Sequence, residues 1–440
     1  MAAIIDDPKY DIFYNETADK DTSECVDSIF SPLEALDNKG NIRFNILASD
    51  KYWLDPSSGH IDFEARILKS DGSVPLTVPK TVGGTTTPAE TVAFVNNAAH
   101  SLFKDIKGSI NETVIFGGDH NYHLNAYMYN HLQFNNASKA TWKITEGYHS
   151  PTLDKSNEEF TDWDHETNKA IAKTSGDGNW LRLTIPLRAI PIFNQDKALP
   201  PGKKVHLAFA RNDPKFAIWA KDGTKEYDFE IRNMVIHIPR IRPSLTIQAQ
   251  IAEKSRSHKA SYYYPNLRLF RYNIAKGSND KELFNIFQGQ PVKLAIFALV
   301  PSANYNDTTK RKFIYKRHNM REIELRSEGR AISGKPLNTS DVMEAYRHFS
   351  RQLGLYRGND DIGINLDDFE KYSNIWPFDC TLGGNVAVRQ DSADNRREYN
   401  LILKFKTPTT QSLDVLCHFV MDERFILGPG NEVISADYAK

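Results

Sequence analysis

The run HIDFEARILK, residues 60–69, alternates without a break: Ile61, Phe63, Ala65 and Ile67 take every second place, with Asp62, Glu64 and Arg66 between them. Successive side chains on an extended chain point to opposite faces, so the stretch predicts a strand with one face in a core and the other in water. The same alternation returns at NWLRLTIPL (179–187), KVHLAFA (204–210), DFEIRNMVIHI (228–238) and VKLAIFALV (292–300). It continues at REIELR (321–326), EYNLILKFK (398–406) and SLDVLCHFVM (412–421), where Leu413, Val415, Cys417, Phe419 and Met421 share a face. Between the runs lie SDGS (70–73), VGGTTTP (82–88), PPGKK (200–204), AKDGTKE (220–226) and KTPTT (406–410), segments rich in turn residues. Many short strands separated by such turns predict all-β sandwiches or barrels.

At 440 residues the chain is long for one domain and suits two of about 200. The turn AKDGTKEY (220–227) is the expected boundary, giving an N-terminal arm at 1–40, a first strand-rich domain at 41–225 and a second at 226–440. Two segments read as helices inside this framework. DVMEAYRHFSRQLG (341–354) sets Val342, Ala345, Tyr346, Phe349 and Leu353 at helical spacing, with Asp341 as N-cap and Gly354 as the stop. NYHLNAYMYNHLQF (121–134) is the other.

Composition narrows the function classes. A formal net charge of −1 lacks the basic excess of a protein that coats nucleic acid directly. No run approaches the ~18 apolar residues of a membrane helix, and MAAIIDDPKYDIFYNETADKD lacks a signal-peptide pattern. Cys25, Cys380 and Cys417 share no metal-ligand spacing, and an odd count argues against a disulfide framework. The five N-x-[ST] triplets, beginning at Asn15, Asn111, Asn136, Asn306 and Asn338, read as chance in an Asn-rich chain.

FGGDHNYHLNAYMYNH (116–131) is the one stretch that looks like a site, with Asp119, His120, His123 and His131 in reach of a metal ion. On a helix, His123 and His131 stand about 12 Å apart at ~1.5 Å per residue, and one zinc with ligands at ~2 Å cannot span that. Asp119, His120 and His123 remain a possible set for a metal-dependent hydrolase, but no H-E-x-x-H supplies the base. The structural reading makes Asp119 a helix cap after a glycine turn. Phosphate-binding and nucleophile-elbow motifs are absent from the sequence, and GNDDIGINLDDFE (358–370) fails as a calcium loop, with Ile362 and Phe369 where oxygen ligands belong. The basic run KRKFIYKRH (310–318) reads as strand and loop with a solvated face.

The order of motifs resembles the major capsid proteins of Maverick/Polinton-type elements and adintoviruses. VNNAAHSLFKDIKGSINETVI (95–115) carries the most specific match, through Val95, Asn96, Asn97, His100, Ser101, Leu102 and Phe103. LPPGKKVHLAFARNDPKFAI (199–218) matches through Gly202, Arg211 and Phe216, and LFNIFQGQPVKLAIFALVPSANYN (283–306) through Gly289 and Pro291. EAYRHFSRQLGL (344–355) contributes Tyr346, and NIWPFDCTLGGN (374–385) contributes Phe378 and Asp379. In the 121–134 helix, Tyr122, Ala126 and Tyr127 hold matching places, whereas His123 stands where the family has proline and Asn125 where it has arginine. The likeness covers about 25–426.

The resemblance implies two tandem jelly-roll sandwiches, a double jelly roll, with short helical insertions. It implies a non-enzymatic capsid subunit without cofactor or metal, which forms homotrimers that tile an icosahedral shell. Its partners would be further copies of itself, a penton protein and minor or cement proteins, with no sequence-specific nucleic acid and no membrane span. Synthesis in the host cytoplasm and nuclear assembly of the virion are further implications. The polar segments 77–90 and 150–179 then read as surface loops. The alternative is a jelly-roll receptor- or carbohydrate-binding protein, penton- or lectin-like, whose groove would use Trp163, Trp180, Trp219 and Trp376.

Overall fold

The computed structural model describes residues 22–36, 40–47, 51–75, 80–82, 85–87, 90–118, 120–150, 180–289, 291–355, 361–381, 397–428 and 432–435. Eight strands build a first sandwich: β1 (Thr22–Phe30), β2 (Ile42–Leu47), β3 (His60–Lys69), β4 (Phe103–Ile110), β5 (Thr113–Phe116), β6 (Leu181–Pro186), β7 (Lys204–Arg211) and β8 (Tyr227–Pro243). They pair in the orders β1-β8-β3-β6 and β2-β7-β4-β5. A second set follows: β9 (Ala260–Ile274), β10 (Asp280–Gly289), β11 (Leu294–Pro301), β12 (Met320–Ser327), β13 (Arg330–Ala331), β14 (Ile375–Asp379), β15 (Arg397–Phe405) and β16 (Leu413–Leu427). Its orders are β9-β16-β11-β14 and β10-β15-β12-β13. Numbered within each half, both sets run 1-8-3-6 and 2-7-4-5, the strand exchange of a jelly roll. The protein is a double jelly roll, and its two halves share one topology.

Strand pairing carries the first roll through Pro243 and opens the second at Ala260. The boundary expected at 225/226 therefore falls ahead of the last strand of the first roll. That strand contributes the central register Phe229↔Ile67 and Ile231↔Ala65, so a cut there would remove the middle of a sheet. The passage between rolls is instead helix α3, described below. Residues 22–30, expected in an arm, are paired along β8 as an edge strand.

The alternation in β3 does what its pattern requires, since Ile61, Phe63, Ala65 and Ile67 are all at most 1% exposed. In β8 the inward set changes phase, from Phe229 and Ile231 to Met234, Ile236 and Ile238. A bulge at Arg232–Val235, with Asn233 at φ 53°, absorbs the extra residue and returns the apolar side chains to the core. Strands β11 and β16 depart from the expected one-sided burial. Ala295, Phe297 and Leu299 enter the second roll's core, while Leu294, Ile296, Ala298 and Val300 enter a separate core between the rolls. Leu416 joins them from β16. This sheet is buried on both faces.

The helices that ride on the strands among the described residues include α1 (Tyr122–Gln133), α2 (Asn136–Ala140), α3 (Leu245–Ser255), α4 (Val342–Gln352) and α5 (Leu366–Lys371). Asp341 caps α4 by accepting from the Glu344 N–H, and Gly354 follows at φ 75°, as its sequence signals predict. None of the described helices is long and apolar enough to cross a membrane. The run 310–318 is not a solvated strand. Lys312, Phe313 and Tyr315 are buried, and Lys312 Nζ donates to the carbonyls of Asn304 and Asp307 at 2.6 Å each. The loop at 77–90 includes a short hairpin pairing Lys80–Val82 with Thr85–Thr87, and residues 151–179 lie outside the described set.

Candidate functional site

Helix α1 is where the two rolls are joined. It begins after FGGD, whose first glycine is obligatory: Gly117 sits at φ 98°, and a Cβ there would collide with the backbone oxygen of Ile106. Asp119, the expected cap, lies outside the described residues, and Asn121 occupies the N-cap position. From α1, Leu124, Tyr127, Met128 and Leu132 enter the core between the rolls. Tyr127 stacks on Phe313 of the second roll, with centroids 3.9 Å apart and planes within 7°. Asn121 and Asn125 donate to the carbonyls of Leu269 and Leu267 on β9, and Asn125 Oδ1 accepts from His418 Nδ1 of β16 at 2.9 Å.

The histidines do not converge. His120 is exposed, 3.6 Å from Asp105, whereas His123 packs edge-on against Phe216 with centroids 4.3 Å apart. His131 bridges Tyr148 and Ser373, both at 3.0 Å, and so ties the helix to the second roll. Burial pushes His123 and His418 down to about 3, and it holds His131 well below the ordinary histidine range. Among the described residues none of the three falls in a cluster of potential metal ligands. Lys139 of α2 reaches across as well, donating to the Ile362 carbonyl at 2.6 Å, and burial lowers it to about 8.

Beside α1 lies a polar network built from the VNNAAHSLF segment. His100 is fully buried; its Nε2 meets Glu146 Oε2 at 2.9 Å and its Nδ1 meets the Tyr122 hydroxyl at 2.6 Å. Lys143 Nζ donates to Glu146 Oε1 at 2.8 Å and to Asn130 Oδ1 at 2.7 Å. Asn130 in turn donates to Asn97 Oδ1 at 2.9 Å and to Glu146 Oε2 at 2.7 Å. Burial acts to raise the Glu146 carboxyl, but the His100 hydrogen bond and the charges of His100 and Lys143 bring it below the usual carboxylate range. Burial and the Glu146 charge raise the Tyr122 hydroxyl well above its ordinary value. Chemically the cluster is an anchor: apart from Asn97 Nδ2, which is buried without a partner, its members hydrogen-bond one another, and His100 and Glu146 are both fully buried.

Around this anchor the sequence-selected residues have definite places. Asn96 exchanges hydrogen bonds with the His149 backbone at 2.7 and 2.8 Å, and Asn97 takes φ 60°, a conformation asparagine tolerates. Ser101 Oγ donates to the Asn96 carbonyl at 2.9 Å, and Leu102 and Phe103 enter the first roll's core. Val95 and Phe216 enter the core between the rolls, and Ala126 is buried on α1. The rest are dispersed: Gly202 (φ 76°) at a turn, Gly289 (φ 132°) at the end of β10, Pro291 just before β11, and Arg211 on β7, donating to the Leu36 carbonyl at 2.6 Å. Tyr346 donates to the Ile364 carbonyl at 2.8 Å, Phe378 fills the second core, and Asp379 accepts from Thr381 at 2.6 Å. Sequence reasoning passed over Glu146, Lys143 and Asn130, which complete the network.

No known protein-family profile matches the chain. An uncharacterised protein of Caenorhabditis elegans is 21% identical over 356 residues, which cover 77% of this chain and 80% of that protein. Among solved structures, a chain of the Sputnik virophage superposes with a TM-score of 0.63 at 11% identity, covering 100% of this chain and 94% of that one. A chain of the PBCV-1 virus capsid gives 0.61 at 13% identity over 97% and 100%, and the mavirus major capsid protein gives 0.51 at 8% over 98% and 95%. These likenesses are of fold.

Proposed function

We propose that this chain is a major capsid subunit that associates as a homotrimer, three double rolls forming a six-lobed block that tiles an icosahedral shell. One asymmetry carries the reading. The outer face of β9-β16-β11-β14 is covered by α1 and its neighbours, while among the described residues no comparable apolar cluster covers the topologically equivalent face of β1-β8-β3-β6. That open face carries ion pairs Arg66–Glu230 at 2.8 Å, Arg232–Glu64 at 2.7 Å and Arg182–Asp62 at 3.0 Å. Trp180 lies under two of the guanidinium groups. A chain with one equivalent face covered and the other open suits head-to-tail contact with identical neighbours, which closes into a ring if the rotation is cyclic. Support also comes from the full-length likeness to capsid chains and from apolar side chains that a lone chain leaves in water: Leu245 of α3, Met343 of α4 and Phe284 of β10.

The same reading makes the protein non-catalytic and places it in the virion, with penton, minor and cement proteins as partners and the Maverick/Polinton group as its relatives. A carbohydrate groove finds less support. Trp219 and Trp376 are buried, Trp180 is stacked beneath arginines, and Trp163 lies outside the described residues. Light scattering on the purified protein tests the proposal: a mass three times 50.1 kDa supports it, and a monomer at high concentration refutes it. The subunit contacts should each bury on the order of 2,000 Å², as obligate assemblies do.

A further inference from the structure

His60, Asp62 and His237 meet on the open face of the first roll. His60 and Asp62 are two apart on β3 and so project from the same face, and the register places His237 of β8 directly opposite His60. Ligands two apart on one strand, with a third directly across, enclose a small volume above a sheet. Here the imidazoles are stacked, with centroids 4.6 Å apart and planes within 9°, and His60 Nε2 lies 3.9 Å from Asp62 Oδ2. One ligand atom from each of the three residues falls within 4.8 Å of the others. Ligands at ~2.0–2.2 Å from a tetrahedral ion stand roughly 3.4 Å apart, so modest side-chain rotations of these half-buried groups close the set.

The surroundings suit a metal. Among the described residues neither imidazole makes a hydrogen bond, so their ring nitrogens remain available. Asp62 is already oriented: Thr184 Oγ1 donates to Oδ1 at 2.7 Å and Arg182 Nη2 to Oδ2 at 3.0 Å, the outer support that fixes a ligating carboxylate. Two imidazoles and one carboxylate favour a divalent transition metal of the zinc class over calcium or magnesium, which take all-oxygen shells.

We infer that His60, Asp62 and His237 form a surface site for one zinc-class divalent ion, with the remaining coordination position open to water. The bound ion would pin β3 to β8 across the middle of the sheet. The inference does not rest on the capsid reading, but the trimer proposed above would set this face, and with it the open coordination position, against a neighbouring copy.

Calorimetric titration of tag-free protein with Zn²⁺, and of its His237→Ala, His60→Ala, Thr184→Val and His258→Ala variants, tests it. One equivalent should bind at neutral pH. Binding should vanish in His237→Ala and His60→Ala, weaken roughly tenfold in Thr184→Val through loss of the outer support, and persist in His258→Ala. Metal-free melting curves of the variants, expected to match the parent, separate loss of a ligand from loss of fold. Absence of stoichiometric binding, or binding that survives removal of both His60 and His237, overturns the site.

Discussion

Glu146 is the residue on which the joint between the rolls turns. It receives His100, Lys143 and Asn130 in a volume from which water is excluded. Removing one member of a buried ion pair strands the other, at a cost of roughly 3–5 kcal/mol, whereas apolar replacement of both is often neutral or better. Glu146→Ala should therefore lower the thermal midpoint sharply, and Lys143→Met with Glu146→Leu should recover much of the loss. Calorimetry of the single and double variants checks this, and additive losses would count against it. Protons act on the same joint. Histidine in an unfolded chain titrates near 6.5, while His123 and His418 are held at about 3 and His131 well below its ordinary value. Above about 6.5 both states are neutral and pH has no effect through these groups. Below it only the unfolded chain takes up protons, so stability falls, by up to roughly 1.4 kcal/mol per pH unit for each histidine. Melting temperatures should drop from about pH 6.5 to 5, with a shallower drop in His418→Leu. Asn97, His100 and Tyr122 were selected from sequence because they sit in stretches that resemble capsid-protein motifs. Glu146 in TWKITEGYH carries no pattern, because a buried charge is identified by its partners and these come from distant positions.

Elements with one wet face were legible, and elements with two dry faces were misread. HIDFEARILK alternates because its outer face meets solvent. VKLAIFALV is almost wholly apolar because β11 serves two cores, and nearly continuous apolar runs are the mark of strands covered on both sides. Ile296 discriminates between these situations. On a strand with a wet face its replacement by alanine would cost little, but in the core between the rolls it should cost on the order of 2–5 kcal/mol. Chemical denaturation of Ile296→Ala measures the difference, and a change below about 1 kcal/mol would contradict the burial. The phase change in β8 was equally hidden, since EIRNMVIHI shows a broken alternation without saying that the Asn233 bulge repairs it. The domain boundary was misplaced for a related reason: AKDGTKEY is a good turn, but turn chemistry cannot distinguish a hairpin inside a sheet from a passage between domains.

For the whole molecule, the repeated orders 1-8-3-6 and 2-7-4-5 tie the halves together more firmly than any residue likeness between them. The rolls are also unequal partners. The first presents a polar, ion-paired outer face, and the second depends on α1 for cover. Residues 256–440 expressed alone should expose Leu294, Ile296, Val300 and Leu416 and aggregate, and co-expression with residues 1–255 should return them to solution. A soluble, monomeric second half would argue against that dependence. Cryo-electron microscopy of the purified full-length protein bears most directly on the assembly. Three chains should appear around a threefold axis, with six sandwich densities and the β1-β8-β3-β6 face of each chain against its neighbour. Isolated two-lobed particles, or a ring that leaves that face in solvent, would contradict the account.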